Sequence, residues 1–147
     1  MVVTALASAA PAGTVLAFDY GAKRIGVAVG EMATGIAHPL VTLANRDATL
    51  DEIAALIAEW RPAVLLVGLP THADGTTHAM TARAHRFGSR LRERFALPVA
   101  FADERFTTRE ATSALRDAGD SASVRKAARD AVAAQIMLQA YLDQHAA

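Results

Sequence analysis

The chain has 147 residues, of which 52% are hydrophobic and 20% are charged, and it contains no cysteine. This length and apolar content predict one globular domain with a buried core, and they exclude global disorder. Without cysteine the chain has no disulfide and no thiolate nucleophile or metal ligand, which is compatible with a reducing cytoplasm.

The charges are balanced overall but not along the chain. Fifteen basic and 15 acidic residues give a formal net charge of zero. Residues 1–74 carry a net charge of −3, and residues 75–147 carry +3. This asymmetry permits a basic face on a neutral protein, although arginine-rich solvated helix faces explain it equally well from charge alone.

The first fourteen residues are small and mildly apolar. They lack the basic start and long apolar run of a secretory signal, and they predict a flexible extension over 1–14 before a single domain over 15–147. No stretch approaches the roughly twenty apolar residues of a membrane helix. We therefore expect a soluble intracellular protein that does not contact a membrane.

Three strands are predicted at the start of the domain. An apolar run over 15–19 and a β-branched run over 25–30 are separated by a linker short enough for a hairpin. A weaker, edge-like strand over 36–43 contains Pro39. Together the three predict an antiparallel meander.

The pattern then alternates between helices and strands. A capping box formed by Thr49 and Glu52 predicts the start of a helix that Pro62 closes. The later elements are a strand over 63–68, a helix over 76–95, a strand over 98–102, a helix from 107 to about 119 and a last helix to about 144.

The resulting order, β-β-β-α-β-α-β-α-α, predicts the fold class. It indicates an α/β protein with a mixed five-stranded sheet, three strands antiparallel and then two parallel, and with helices on both faces. This arrangement resembles the ribonuclease H-like fold, which many nucleases and each half of actin-like ATPases share.

Three carboxylates occupy positions that this fold would bring together. Asp19 ends the first strand, Glu104 follows the fifth strand, and Asp130 borders the inward stripe of the last helix. Small residues one turn further on, Ala133 and Ala134, allow that helix to approach the sheet closely. Converging carboxylates suit Mg²⁺ or Mn²⁺ and metal-assisted phosphodiester hydrolysis.

Ion pairing is the competing explanation for each acid. Exposed and i, i+4 ion pairs are common on protein surfaces. The basic neighbours are Lys23 or Arg24 for Asp19, Arg105 or Arg109 for Glu104, and Lys126 for Asp130.

Four segments together resemble one family. They are FDYGAKRIGVAVG (18–30), VGLPTHADGT (67–76), ADERFTTREA (102–111) and RDAVAAQIMLQAYL (129–142). On these motifs the chain is identified as a member of the YqgF/RuvX family of pre-16S rRNA nucleases, similar in fold to the RuvC Holliday-junction resolvases. The match covers about residues 15–143.

The resemblance implies a cytoplasmic, divalent-metal-dependent hydrolase that processes the 5′ end of the small-subunit ribosomal RNA precursor. It implies that Asp19, Glu104 and Asp130 are the catalytic and metal-binding residues, and that nucleic acid or a ribosomal particle is the partner of a monomer or homodimer. Substrate contacts are expected from Lys23, Arg24, Arg105, Thr107, Arg109, Arg125, Lys126 and Arg129.

Three other functions stay open from the sequence. A Holliday-junction resolvase acting on DNA would need two active sites on a symmetric dimer. A non-catalytic RNA-binding or ribosome-associated module would keep the fold without cleavage. The segment DYGAK resembles the phosphate-binding hairpin of actin-like ATPases, but this chain supplies only one of the two domains that close around ATP.

Overall fold

A computed structural model of the chain describes residues 13–70, 78–103 and 122–145. The elements are β1 (Thr14–Tyr20), β2 (Arg24–Glu31), β3 (Ile36–Ala44), α1 (Thr49–Trp60), β4 (Val64–Leu69), α2 (His78–Phe95), β5 (Val99–Asp103) and α3 (Ala122–Gln144). The helix predicted from residue 107 lies outside the described residues. No helix in the described part of the chain is long and apolar enough to cross a bilayer.

The five strands form one mixed sheet in the order β3-β2-β1-β4-β5. The pairs β1–β2 and β2–β3 are antiparallel, whereas β4 lies parallel to β1 and β5 parallel to β4. This topology confirms the predicted α/β fold, with an antiparallel meander followed by two parallel strands.

Alternate residues of β1 point into two separate cores. Leu16 and Phe18 belong to a cluster that α1 and α2 cover. Val15 and Ala17 point the other way and pack with Ala134 and other residues of α3. Helices therefore cover both faces, as predicted, and alternate residues of β1 pack on opposite faces of the sheet.

Small residues let α3 lie unusually close to β2. On the α3 face, β2 presents Gly26, Ala28 and Gly30. A Cβ added at Gly26 would lie 1.9 Å from the carbonyl oxygen of Asp130, so no side chain fits between the two backbones. On the helix side Ala134 is fully buried. The predicted close approach of this helix is therefore observed, with glycine on the sheet contributing as much as alanine on the helix.

The start of α1 differs from the predicted capping box. The N-cap is Ala48, which offers no side-chain cap, and Thr49 is the first helical residue. The Thr49 hydroxyl accepts the Arg46 N–H at 2.8 Å and donates to the Ala44 carbonyl at 2.6 Å. The predicted capping box was wrong because the Thr49 hydroxyl does not cap α1. It instead bonds the turn before the helix to the end of β3.

Candidate active site

The carboxyl ends of the three parallel strands meet at one edge of the sheet. The register aligns Phe18 of β1 with Val67 of β4 and Phe101 of β5. In open α/β sheets, ligands bind outside the carboxyl ends of the strands. Asp19, one residue beyond Phe18, therefore lies where this architecture places functional groups.

Asp19 and Asp130 come together across β2. Asp19 continues the alternation of Val15 and Ala17, so its side chain lies on the α3 face of the sheet. Its cross-strand partner is Gly26, the residue on which the Asp130 backbone rests. Both aspartates are half-buried. The close packing of α3 thus brings a carboxylate from the last helix to the end of the first strand.

Arg24 is the third charged member of this cluster. Its Nε donates to the Oδ2 of Asp130 at 2.6 Å, and the two side chains are 37% and 22% exposed. Arg24 lies on the same face as Gly26 and diagonally opposite Asp19 in the β1–β2 ladder. Sequence reasoning paired Arg24 with Asp19 and Asp130 with Lys126, and it missed this contact because no local spacing signals a partner from the far end of the domain.

The β1–β2 turn is held rigidly in front of the cluster. A Cβ on Gly21 would lie 2.6 Å from the carbonyl oxygen of Arg24, so the turn closes only with glycine there. Asn45 donates from Nδ2 to the Gly21 carbonyl at 2.8 Å, and its backbone N–H donates to the Lys23 carbonyl at 2.9 Å. The end of β3 therefore fixes the segment that carries Arg24.

The remaining predicted site residues are described only in part. Lys23 is exposed, and it makes no ion pair with any residue that the structure describes. Arg129 is half-buried next to Asp130. Arg125 and Lys126 belong to the first turns of α3, but their side chains lie outside the description. Four predicted residues lie wholly outside the described ranges: Glu104, Arg105, Thr107 and Arg109.

The donor set at this edge fits a hard divalent cation. Carboxylate oxygens are the ligands that Mg²⁺ and Mn²⁺ prefer, and Arg24 pairs with one oxygen of the Asp130 carboxylate, Oδ2. Within residues 13–70, 78–103 and 122–145 there is no group of three or more metal-ligating side chains. The structure therefore brings together two of the three predicted ligands, and the third, Glu104, lies outside the described residues.

Comparison with known proteins finds close relatives over nearly the whole chain. The family model described as "RuvX: Holliday junction resolvase" matches residues 13–144. A protein of Nitrosospira multiformis is 51% identical over 140 residues, covering 94% of this chain and 93% of its own. One of Dechloromonas aromatica is 54% identical over 134 residues, covering 89% of this chain and 91% of its own. Both carry the name "Putative pre-16S rRNA nuclease".

Two solved structures of Thermus thermophilus RuvC share the fold. The one in complex with a Holliday junction substrate has a TM-score of 0.52 at 15% identity and covers 89% of this chain and 94% of its own. The other has a TM-score of 0.50 at 13% identity and covers 88% and 96%. The similarity confirms the predicted ribonuclease H-like fold.

Proposed function

The chain belongs to the RuvX family, a family of nucleases, and from this premise we propose that it hydrolyses nucleic-acid phosphodiesters at a metal centre. We place the centre on Asp19 and Asp130, with Glu104 as the third ligand. One observation carries the proposal: α3 rests on Gly26, and this contact brings Asp130 to the strand end that holds Asp19.

The register of the sheet supports Glu104 as the third ligand. Ala100 and Ala102 of β5 belong to the core on the α3 face. Glu104 is the residue that directly follows β5 in the sequence, and we propose it as the third ligand. Only β4 separates β5 from β1, so these two strands are about 10 Å apart. Side chains that approach from both sides can share metal ions in that space.

We assign different roles in the reaction to the charged residues of the site. When bound, divalent metal supplies an activated water nucleophile and stabilises the leaving oxygen. Arg24 binds the Oδ2 of Asp130, which orients this carboxylate without engaging its other oxygen. We assign contacts with substrate phosphates to Lys23, which is exposed, and to Arg129, which is next to Asp130. We assign the same role to Arg105, Thr107, Arg109, Arg125 and Lys126.

We propose ribosomal RNA precursor as the substrate. The relatives at 51% and 54% identity carry the name "Putative pre-16S rRNA nuclease", which supports a pre-16S rRNA substrate. We propose in addition that the cleavage takes place at the 5′ end of this RNA and in the cytoplasm. Holliday-junction DNA is the second candidate, because the family model is described as a junction resolvase and one structure of similar fold holds a junction.

A cleavage assay with matched variants tests the proposal. The purified protein is incubated with a 5′-extended 16S precursor RNA or a four-way DNA junction, in Mn²⁺ or in EDTA. We expect RNA cleavage at the 5′ side in Mn²⁺ and none in EDTA. Asp19→Asn and Asp130→Asn should each lower the rate at least about 10-fold, because losing a ligand costs no less than losing its supporting partner. Asp143→Asn, exposed on the same helix, is the control and should cleave normally.

The other outcomes separate the alternatives. Normal cleavage by Asp19→Asn and Asp130→Asn would contradict the proposed site. Cleavage of the junction but not the RNA would favour the DNA resolvase. RNA binding that survives both substitutions, without cleavage under any condition, would favour a non-catalytic module.

A further inference from the structure

A groove lies on the opposite face of the sheet from Asp19 and Asp130. Its volume is about 450 Å³, and it runs between the end of β1, the β3–α1 connection and one flank of α2. The rings of Tyr20 and Phe87, whose centroids are 5.0 Å apart, line it together with the backbone turn at Ala22. The groove is therefore a concave surface that begins at the same strand end as the proposed active site.

Arginines dominate the wall of this groove. Arg83, Arg86 and Arg90 are exposed and line it, as does Arg46 from the β3–α1 connection. One acid, the exposed Asp47 of the same connection, lines it as well, so four basic side chains face one acidic side chain. At about 100° per residue, the three arginines of α2 fall on one flank of the helix. The whole helix carries five arginines and a single acid, Glu93. The groove wall is therefore basic although the protein has no net charge.

Ion pairing does not account for this row. Arg94, on the same flank of α2, donates to the Asp51 carboxylate at 2.6 Å, and Arg46 pairs with Glu52 at 3.2 Å. By contrast, Arg83, Arg86 and Arg90 form no ion pair among the residues that the structure describes. Arg46 and Arg94 are therefore neutralised by ion pairs. The positive charges of Arg83, Arg86 and Arg90 remain available to an anionic ligand.

The groove matches the phosphate backbone of a nucleic-acid strand. Guanidinium groups bind phosphate through paired N–H donors. Seven residues separate Arg83 from Arg90, a rise of about 10 Å along the helix, which spans more than one phosphate at about 3.4 Å per nucleotide of a duplex strand. An acidic protein partner fits less well, because a row along one helix flank suits repeated phosphates.

The groove and the proposed active site both begin at the end of β1. Asp19 points to the α3 face, and the next residue, Tyr20, points to the groove. A strand that crosses this edge of the sheet passes from one face to the other over the turn that holds Lys23. A single strand that crosses this edge therefore meets both surfaces.

We propose that Arg83, Arg86 and Arg90 bind the backbone of the nucleic-acid strand that extends beyond the cleavage site. This inference rests on the proposed function for the identity of the ligand. It adds a second contact region, which fixes the polyanion and confers affinity without reading sequence.

Binding of a labelled 24-nucleotide single-stranded RNA tests the inference. Fluorescence anisotropy is measured in EDTA over a range of KCl concentrations, so that cleavage plays no part. The triple variant R83Q/R86Q/R90Q should bind on the order of 100-fold more weakly at 0.1 M KCl, and the slope of log K against log salt should fall in magnitude by about 2. DNA of the same sequence should show the same loss, because phosphate contacts do not read the sugar.

Two controls separate the groove from general charge. R83K/R86K/R90K keeps three positive charges and should retain the salt slope. R92Q removes one charge from the opposite flank of α2, outside the groove, and should bind like the wild type, whereas R86Q and R90Q singly should each bind several-fold more weakly. The single variants also keep the test valid if the triple variant does not fold.

The result that overturns the inference is equally specific. Unchanged affinity and salt slope in the glutamine variants, an equal loss in R92Q, or no measurable RNA binding by the wild type would each refute it. Failure of Asp19→Asn to abolish cleavage would refute the proposed active site while leaving this binding result intact, so the two failures are distinguishable.

Discussion

Gly26 determines how close Asp130 lies to Asp19. It is the cross-strand partner of Asp19, and it touches the backbone of Asp130. Both aspartates are predicted as site residues from the sequence. An acid at the end of a buried strand and an acid beside an apolar helical stripe can each be recognised from the sequence pattern alone. The Arg24–Asp130 pair is not predicted, because that contact depends on the depth to which α3 sinks onto β2.

Two glycine substitutions on the same face of β2 test this dependence. Gly26→Ala would place a Cβ 1.9 Å from a backbone oxygen, which cannot move without shifting α3. We expect a loss of about 3 kcal/mol or more in the free energy of unfolding, measured in urea, together with loss of cleavage.

Gly30→Ala is the matched control for that substitution. Its Cβ would lie 2.9 Å and 3.1 Å from the methyl ends of Leu142 and Leu138, which can rotate away, and 3.1 Å from the Ile36 carbonyl oxygen. We expect a loss of about 1 kcal/mol and normal cleavage. Equal losses for the two variants would contradict the account of helix placement.

At the scale of elements, the spacing of hydrophobic residues predicted the positions of the described strands and helices well. Local capping rules predicted the ends of these elements less well. The strands predicted over 15–19 and 25–30 are observed as Thr14–Tyr20 and Arg24–Glu31. The predicted capping box was wrong because a threonine at this position can either cap the helix or hydrogen-bond to the preceding strand. The sequence does not distinguish these two roles of Thr49. The tertiary position of β3 decides between them.

Substitution of Thr49 tests that tie. Thr49 is 4% exposed, and its hydroxyl joins the Arg46 N–H and the Ala44 carbonyl. Thr49→Val keeps the shape but loses both hydrogen bonds, so the free energy of unfolding should fall by about 1–3 kcal/mol. Thr49→Ser keeps the hydroxyl and should lose less than half as much in the same urea titration. A serine variant as unstable as the valine variant would show that packing, rather than hydrogen bonding, explains the buried threonine.

At the scale of the whole molecule, the single sheet separates the two surfaces that we propose to bind one nucleic-acid ligand. The α3 face carries the carboxylates, and the α2 face carries the arginine-lined groove. The positive charge of the second half of the chain was visible in the sequence, but its location was not. The net charge of this half was equally compatible with a basic face and with scattered, solvated arginines. The packing of α2 beside the end of β1 concentrates three of the arginines in a groove.

Crystals soaked in MnCl₂ test whether Asp19 and Asp130 are ligands of one metal centre. We expect an anomalous-difference peak with carboxylate oxygens of both aspartates about 2–2.5 Å away, and with Glu104 as a further ligand. The peak should disappear in Asp19→Asn crystals and persist in Asp143→Asn crystals. A wild-type enzyme that cleaves RNA in Mn²⁺ but shows no metal between Asp19 and Asp130 would contradict the account.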